Sequence, residues 1–175
     1  MSVAEIDEDR RPLVLVFVYT WDVVRALLAL LAAVVSFGGA VMVGTRVVDL
    51  PLWQQLLYAT SAASYGAALF VIGVLMPRRA AWVRRAQITV FSISATLAVT
   101  SQALQVVVDP QGVDAGVLAG TLVFVLLYVA GIAAMLGGNV AAHFRAPGTT
   151  PRYLIALVAF WCCVQAGLVV LHAGS

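Results

Sequence analysis

The sequence predicts an all-α fold: a polytopic transmembrane bundle of five antiparallel helices. The chain of 175 residues is 63% hydrophobic and only 10% charged, whereas a soluble domain carries about a quarter charged residues. It contains five apolar stretches, each with the roughly 20 residues that a helix needs to cross the hydrocarbon core. Threading these stretches through a bilayer leaves nine of the ten arginines on one side, as expected for cytoplasmic loops.

The whole chain, residues 1–175, is predicted to be a single integral membrane domain. Helices satisfy their backbone hydrogen bonds internally in lipid, and the period-2 alternation of barrel strands is missing. The links between the stretches are short, so successive helices should lie side by side and antiparallel. The predicted crossings are Val23–Gly44, Leu52–Met76, Ala86–Val108, Gly116–Gly137 and Tyr153–Ala173.

Residues 1–22 are predicted to form an acidic tail followed by an apolar segment. The acidic start differs from the basic start of a secretory signal peptide, so we expect no cleavable leader. The apolar segment either lies in the membrane interface ahead of the first crossing or extends that helix back to near Pro12. We favour the continuous helix, in which Asp22 and Arg25 pair at i and i+3. We expect that pair near the cytoplasmic interface.

The arginines also predict the orientation and the location of the protein. Lysine is absent, and alanine, valine and leucine dominate, which indicates the GC-rich genome of a prokaryote. We therefore predict a multi-pass protein of the cytoplasmic (inner) membrane, with its N-terminus cytoplasmic and its C-terminus outside. The arginines on the predicted inner side are Arg10, Arg11, Arg25, Arg78, Arg79, Arg84, Arg85, Arg145 and Arg152.

Chemistry-bearing groups are scarce in the predicted crossings. No Asp, Glu, Lys or Arg is expected in the middle of a crossing, which argues against a proton-coupled pump or carrier but not against passive conduction. The sequence contains no nucleophile, zinc-protease or phosphate-loop signature. We therefore expect a protein that is not an enzyme, with no catalytic residues, no cofactor and no metal site.

A candidate polar pocket combines two predicted crossings. Tyr58, Ser61 and Tyr65 share one face of the second crossing, and Gln102 and Gln105 lie in the outer half of the third. Each glutamine amide has four hydrogen-bonding positions to satisfy. Together these residues are predicted to form an outward-facing polar pocket, although water at the outer surface could also serve the two glutamines.

A candidate polar stripe runs along the third crossing. Thr89, Ser92, Thr96 and Thr100 are spaced by 3, 4 and 4 residues, so they share one helix face. Their hydroxyls either line a hydrated path, bridge to a neighbouring helix, or donate to carbonyls of their own helix.

Two further features predict contacts outside or between helices. Arg78, Arg79, Arg84 and Arg85 surround Trp82 in the link after the second crossing, where they suit anionic lipid headgroups or a cytoplasmic partner, or simply set the topology. At the start of the fourth crossing, Gly116 and Gly120 form a small-residue ridge, which favours helix packing within the chain or in a dimer.

These features favour a non-enzymatic multi-pass membrane protein, acting as an accessory or interaction subunit or as a small membrane regulator. One alternative is an oligomeric channel or carrier for ions or small solutes, with the third helix lining the path. A weaker alternative is a lipid- or quinone-binding component of a respiratory complex. The expected partners are the lipid bilayer, anionic headgroups and a membrane protein or second copy. Nucleic acid is excluded, because the charges lie in short loops.

Overall fold

The computed structural model describes residues 13–38, 40–43, 46–108 and 113–173, and it confirms an all-α bundle. A 3₁₀ turn, Met76–Arg78, follows the second helix. All helices except α5 are long and apolar enough to cross a membrane, which supports a membrane protein. The helices are α1 (Leu13–Phe37), α2 (Leu52–Leu75), α3 (Ala81–Val108), α4 (Ala115–Leu136), α5 (Gly138–His143) and α6 (Arg152–Ala173).

The first predicted crossing, 23–44, needs correction at both ends. Helix α1 is continuous from Leu13 to Phe37, as in the favoured alternative; residues 1–12, with the acidic tail, lie outside the described residues. The helix ends where the Gly38 N–H donates to the Val35 carbonyl at 3.0 Å, because glycine readily terminates a helix. Beyond it, β1 (Ala40–Val43) and β2 (Arg46–Asp49) pair as an antiparallel hairpin, in valine-rich sequence that favours strands.

The helices do not pack in chain order. Helix α2 packs mainly against α1 and α6, α6 also contacts α3, and α3 packs mainly against α4. The expectation that all successive crossings lie side by side is therefore wrong for α2 and α3 and for α4 and α6, because the members of each pair make few contacts with each other.

The link before α6 explains this order. The Ala81 N–H donates to the Ala146 carbonyl, and the Ala146 N–H donates to the Arg79 carbonyl, both at 3.1 Å. These bonds hold the link ahead of α6 against the corner between α2 and α3, so that α6 enters the bundle between them. The two arginine-bearing links consequently lie at the same end of the bundle.

Packing is densest at that end. Trp82, Val83, Val140, Phe144 and Leu154 are all buried there. Toward the other end, residues 95–108 of α3 and residues 115–130 of α4 are all exposed or half-buried. In a bilayer, lipid would cover these apolar faces.

Candidate functional site

An ion pair occupies the middle of α1. Arg25 is the central residue of this 25-residue helix, and Asp22 lies one turn before it. Arg25 Nη1 lies 3.3 Å from Asp22 Oδ1, and the two side chains are only 4% and 1% exposed. The predicted pairing is confirmed. The pair lies in the middle of α1, which is a candidate membrane span over its whole length. This position argues against the predicted place near the interface and against the expectation that no charged residue lies in the middle of a crossing.

Asp22 is held by one of its two carboxylate oxygens. Asp22 Oδ1 accepts hydrogen bonds from Arg25 Nη1 and from Gln87 Nε2 of α3, the latter at 3.0 Å. Asp22 Oδ2 accepts no hydrogen bond from any residue that the structure describes, and neither does Gln87 Oε1. Buried polar atoms almost always have a partner, so these two acceptors distinguish the site from ordinary core.

The Arg25 guanidinium has a separate set of contacts. Its Nη2 donates to Ser94 Oγ on α3 at 3.2 Å, and aromatic rings surround its central carbon. Such contacts attract a cation through the ring quadrupole. The carbon lies 5.1 Å from the ring centroids of Tyr65 and Phe91 and 4.8 Å from that of Tyr128.

A second aromatic layer completes this environment. The ring of Tyr65 stacks on that of Trp161 in α6 at 4.6 Å. Helices α1, α2, α3, α4 and α6 therefore each supply a side chain to the region around Arg25. We call Asp22, Arg25, Gln87 and Ser94, with the aromatic rings around the guanidinium, the central cluster.

Close approach of the helices holds this cluster together. A Cβ added to Gly131 of α4 would lie 2.6 Å from Phe91 Cε2, and one added to Gly66 of α2 would lie 3.3 Å from the Ala26 carbonyl oxygen. Real side chains essentially never approach as closely as the first distance. Glycine is therefore needed at position 131 for α4 to pack against Phe91.

A lateral groove opens between α1 and α2, with a volume of about 540 Å³. This lies within the roughly 300–1,000 Å³ of small-molecule sites, which are also mostly apolar with a few polar groups. Asp22 and Tyr19 supply the side-chain polar groups of its wall. Its apolar wall includes Val23, Leu27, Leu30, Phe70 and Val74.

No protein-family model, curated protein or solved structure matches this chain. Its function has to be argued from the central cluster and the groove. Sequence reasoning singled out the Asp22–Arg25 pair but missed Gln87, Phe91, Tyr128 and Trp161 as its neighbours. For the residues on α3, the sequence does carry a pattern: Gln87, Phe91 and Ser94 recur on one helix face at spacings of 4 and 3.

The predicted polar pocket is divided in the structure. Tyr65 belongs to the central cluster, where its hydroxyl lies 3.4 Å from Ser94 Oγ. Ser61 is fully buried with its hydroxyl unpartnered among the described residues, and Tyr58 is half-buried. Gln102 and Gln105 are half-buried on α3, but α6 packs against both α2 and α3 and limits contact between them.

The predicted polar stripe faces outward. Thr89, Ser92, Thr96 and Thr100 are all exposed, on the face of α3 that points away from the bundle. In a single copy these hydroxyls therefore do not line an internal path, and a channel built on this stripe would require several copies.

The predicted arginine-rich link is shorter in the structure, because α3 begins at Ala81 rather than at Ala86 and includes Trp82, Arg84 and Arg85. Trp82 is 5% exposed and lies against Gly148, where an added Cβ would be 3.1 Å from Trp82 Cδ1. Trp82 therefore packs within the bundle, whereas its segment was predicted to contact lipid headgroups or a partner. Arg84 Nε donates to the Met135 carbonyl at 2.6 Å. Arg78, Arg79 and Arg85 are exposed. Their contact with lipid headgroups or a partner stays a prediction.

The predicted packing glycines make no helix contact within one copy. No heavy atom of the described residues lies within 4 Å of a Cβ built on Gly120, and that of Gly116 meets only Asp114 Oδ1. Asp114 instead caps α4 by accepting from the Gly116 and Val117 N–H groups at 2.7 and 3.0 Å. A dimer contact at these glycines stays a prediction.

Proposed function

We propose that this protein is a multi-pass membrane protein that binds a lipophilic small molecule from the bilayer in the groove between α1 and α2. The observation that carries the proposal is an apolar groove of about 540 Å³ with the buried Asp22 in its wall. Binding is its proposed activity, without catalysis. Without Arg25, eight arginines still fall on the predicted inner side against one on the other, which supports a prokaryotic inner membrane with the N-terminus inside.

The wall of the groove suits a ligand that arrives from the side. Leu27, Phe70 and Val74 line it and are each more than half exposed. In a bilayer these side chains face the hydrocarbon, so an apolar molecule can reach the groove without crossing the bundle. The proposal develops the weaker alternative drawn from the sequence, a lipid- or quinone-binding component of a respiratory complex, by suggesting where its ligand would bind.

The ion pair beside the groove favours a binding role over a purely structural one. Removing two charges from water costs free energy that their mutual attraction often fails to recover, and apolar replacements are frequently as stable. Ionisable groups within a membrane segment are accordingly functional-site candidates by default. Apolar side chains at positions 22 and 25 could pack in the same bundle, so a contribution to stability does not by itself explain why an ion pair lies there.

A photoreactive, diazirine-bearing long-chain alcohol tests the proposal in lipid nanodiscs. We expect the label on groove residues, with a several-fold loss in Leu27→Trp, whose indole would fill the groove. Leu28→Trp is the matched control, because Leu28 is similarly exposed, 52% against 62% for Leu27, but lies outside the groove wall. Labelling spread evenly over the lipid-facing surface, or equal in both variants, would contradict the proposal.

A second candidate, an accessory subunit, is favoured by the outward polar stripe. Four hydroxyls on the lipid-facing side of one helix suit hydrogen bonds to another membrane helix. Cysteine cross-linking at Ser92→Cys, with Cys162 and Cys163 replaced by alanine, tests this role. Cross-links to a defined protein or second copy would support it, and monomer alone in native membranes would remove it.

A further inference from the structure

The two oxygens of the Asp22 carboxylate have different surroundings. Oδ1 receives both described hydrogen bonds, from Arg25 and from Gln87. Oδ2 receives none from the described residues, although Asp22 is 1% exposed and forms part of the groove wall. A buried acceptor left without a donor costs roughly 1–3 kcal/mol, and more when it is charged. Asp22 is therefore a residue of the groove wall whose buried carboxylate still lacks one donor among the described residues.

Arg25 is held by contacts away from Oδ2, although its Nε–H group also lacks a partner among the described residues. Its Nη2 is bonded to Ser94, and its guanidinium lies among the rings of Tyr65, Phe91 and Tyr128. Turning it toward Oδ2 would give up contacts with three helices. A molecule in the groove that donates to Oδ2 would leave all of these contacts in place.

The charge of the pair selects the kind of molecule. Asp22 and Arg25 together are neutral, so a cationic group in the groove would leave an uncompensated positive charge in an apolar site. An anionic group would face the carboxylate of Asp22, which is the charged residue in the groove wall. A neutral hydrogen-bond donor meets neither penalty.

We infer that the ligand of the groove is a neutral amphiphile with a hydroxyl headgroup, of the long-chain alcohol or phenol class, whose hydroxyl donates to Asp22 Oδ2. The hydrocarbon portion lies between α1 and α2 against Leu27, Phe70 and Val74. This inference rests on the proposed function and adds the chemistry of the headgroup. An ether or ketone of the same length lacks the donor and would leave Oδ2 unpartnered.

The test compares two probes that differ only in the donor: the photoreactive alcohol and its methyl ether. Labelling of the groove is measured in wild-type protein in nanodiscs and normalised to labelling of the exposed face of α4, which samples the same bilayer. We expect the alcohol to be preferred by about tenfold or more, the effect of one hydrogen bond to a charged acceptor. The wild-type ratio needs no variant, so it does not depend on how a mutant folds.

Two variants assign the preference to Asp22. Asp22→Asn should bring the ratio close to one, because it removes the charged acceptor. Tyr19→Phe removes the hydroxyl of the other polar side chain in the groove wall. If Asp22 is the acceptor, the preference for the alcohol should persist in this variant. A preference lost in Tyr19→Phe, or kept in folded Asp22→Asn, would overturn the assignment.

The outcomes separate the two proposals. Equal labelling of the groove by alcohol and ether would overturn the hydroxyl inference and leave the groove as a binding site. Failure of both probes to label the groove above the α4 background would overturn the proposed function, and this inference with it.

Discussion

Arg25 and Ser94 are 69 positions apart in the chain, yet Arg25 Nη2 donates to Ser94 Oγ at 3.2 Å. Their helices, α1 and α3, make few backbone contacts. Long side chains span the space between them: Arg25 reaches Ser94, and Gln87 reaches back to Asp22 at 3.0 Å. Polar side chains therefore connect α1 to α3, two helices that do not pack closely against each other.

Removal of the Asp22 carboxylate should destabilise the bundle strongly. Asp22→Ala leaves the buried Arg25 without its counter-charge, and breaking a buried pair typically costs about 3–5 kcal/mol. The measurement is the free energy of unfolding in mixed micelles with increasing SDS. Asp22→Leu combined with Arg25→Met should recover most of the loss, because apolar residues of similar size replace the whole pair.

Asp114→Ala is the control for that experiment. Asp114 is exposed and caps α4, so its removal should cost only about 1 kcal/mol. An Asp22→Ala protein as stable as Asp114→Ala would show that the pair is not buried as described.

Gly131→Ala should destabilise the contact between α3 and α4. The new Cβ would lie 2.6 Å from Phe91 Cε2, and overpacking of this kind costs about 1–3 kcal/mol. Phe91→Leu should restore part of the loss in the double variant, since it removes the ring that meets the Cβ. Gly120→Ala should be close to neutral, and the same unfolding assay compares the two glycines; equal effects would contradict the close approach at Gly131.

Arg84→Gln should weaken the end of α4. Arg84 Nε donates to the Met135 carbonyl at 2.6 Å, in the last turn of α4, where carbonyl groups lack partners within the helix. A hydrogen bond from a charged donor contributes about 1.5–3 kcal/mol. Arg85→Gln removes an equal charge from an exposed neighbour and should change stability by less than about 0.5 kcal/mol. Equal thermal shifts for the two variants would argue against a role for the Met135 contact.

Local sequence signals predicted part of this arrangement. Length and hydropathy identified five helices that are long and apolar enough to span a membrane, and the i, i+3 spacing predicted the Asp22–Arg25 pair. The pair was expected near the interface but lies in the middle of α1, because the apolar run before Asp22 fits either an interfacial segment or a longer helix. Its cross-helix partner Gln87 was missed because nothing local indicates which face of α3 turns toward α1.

Local sequence patterns did not predict which residues lie at the contacts between helices, because this depends on the tertiary structure. Small residues recur in four-residue steps on several helices, and only the position of Phe91 distinguishes Gly131 from Gly116 or Gly120. The stripe from Thr89 to Thr100 was correctly placed on one face, but its outward direction follows from how α3 packs against α4 and α6.

The most direct test of the account is the side of the membrane on which each link lies. With Cys162 and Cys163 replaced by alanine, single cysteines at Ser2, Ala115, Thr149 and Ser175 are labelled with an impermeant maleimide in intact and in opened cells. Five crossings, with the Asp22–Arg25 pair inside the bilayer, predict that Ala115→Cys and Ser175→Cys react from outside, whereas Ser2→Cys and Thr149→Cys react only after opening. Reaction of Ser2→Cys and Ser175→Cys from the same side would contradict it.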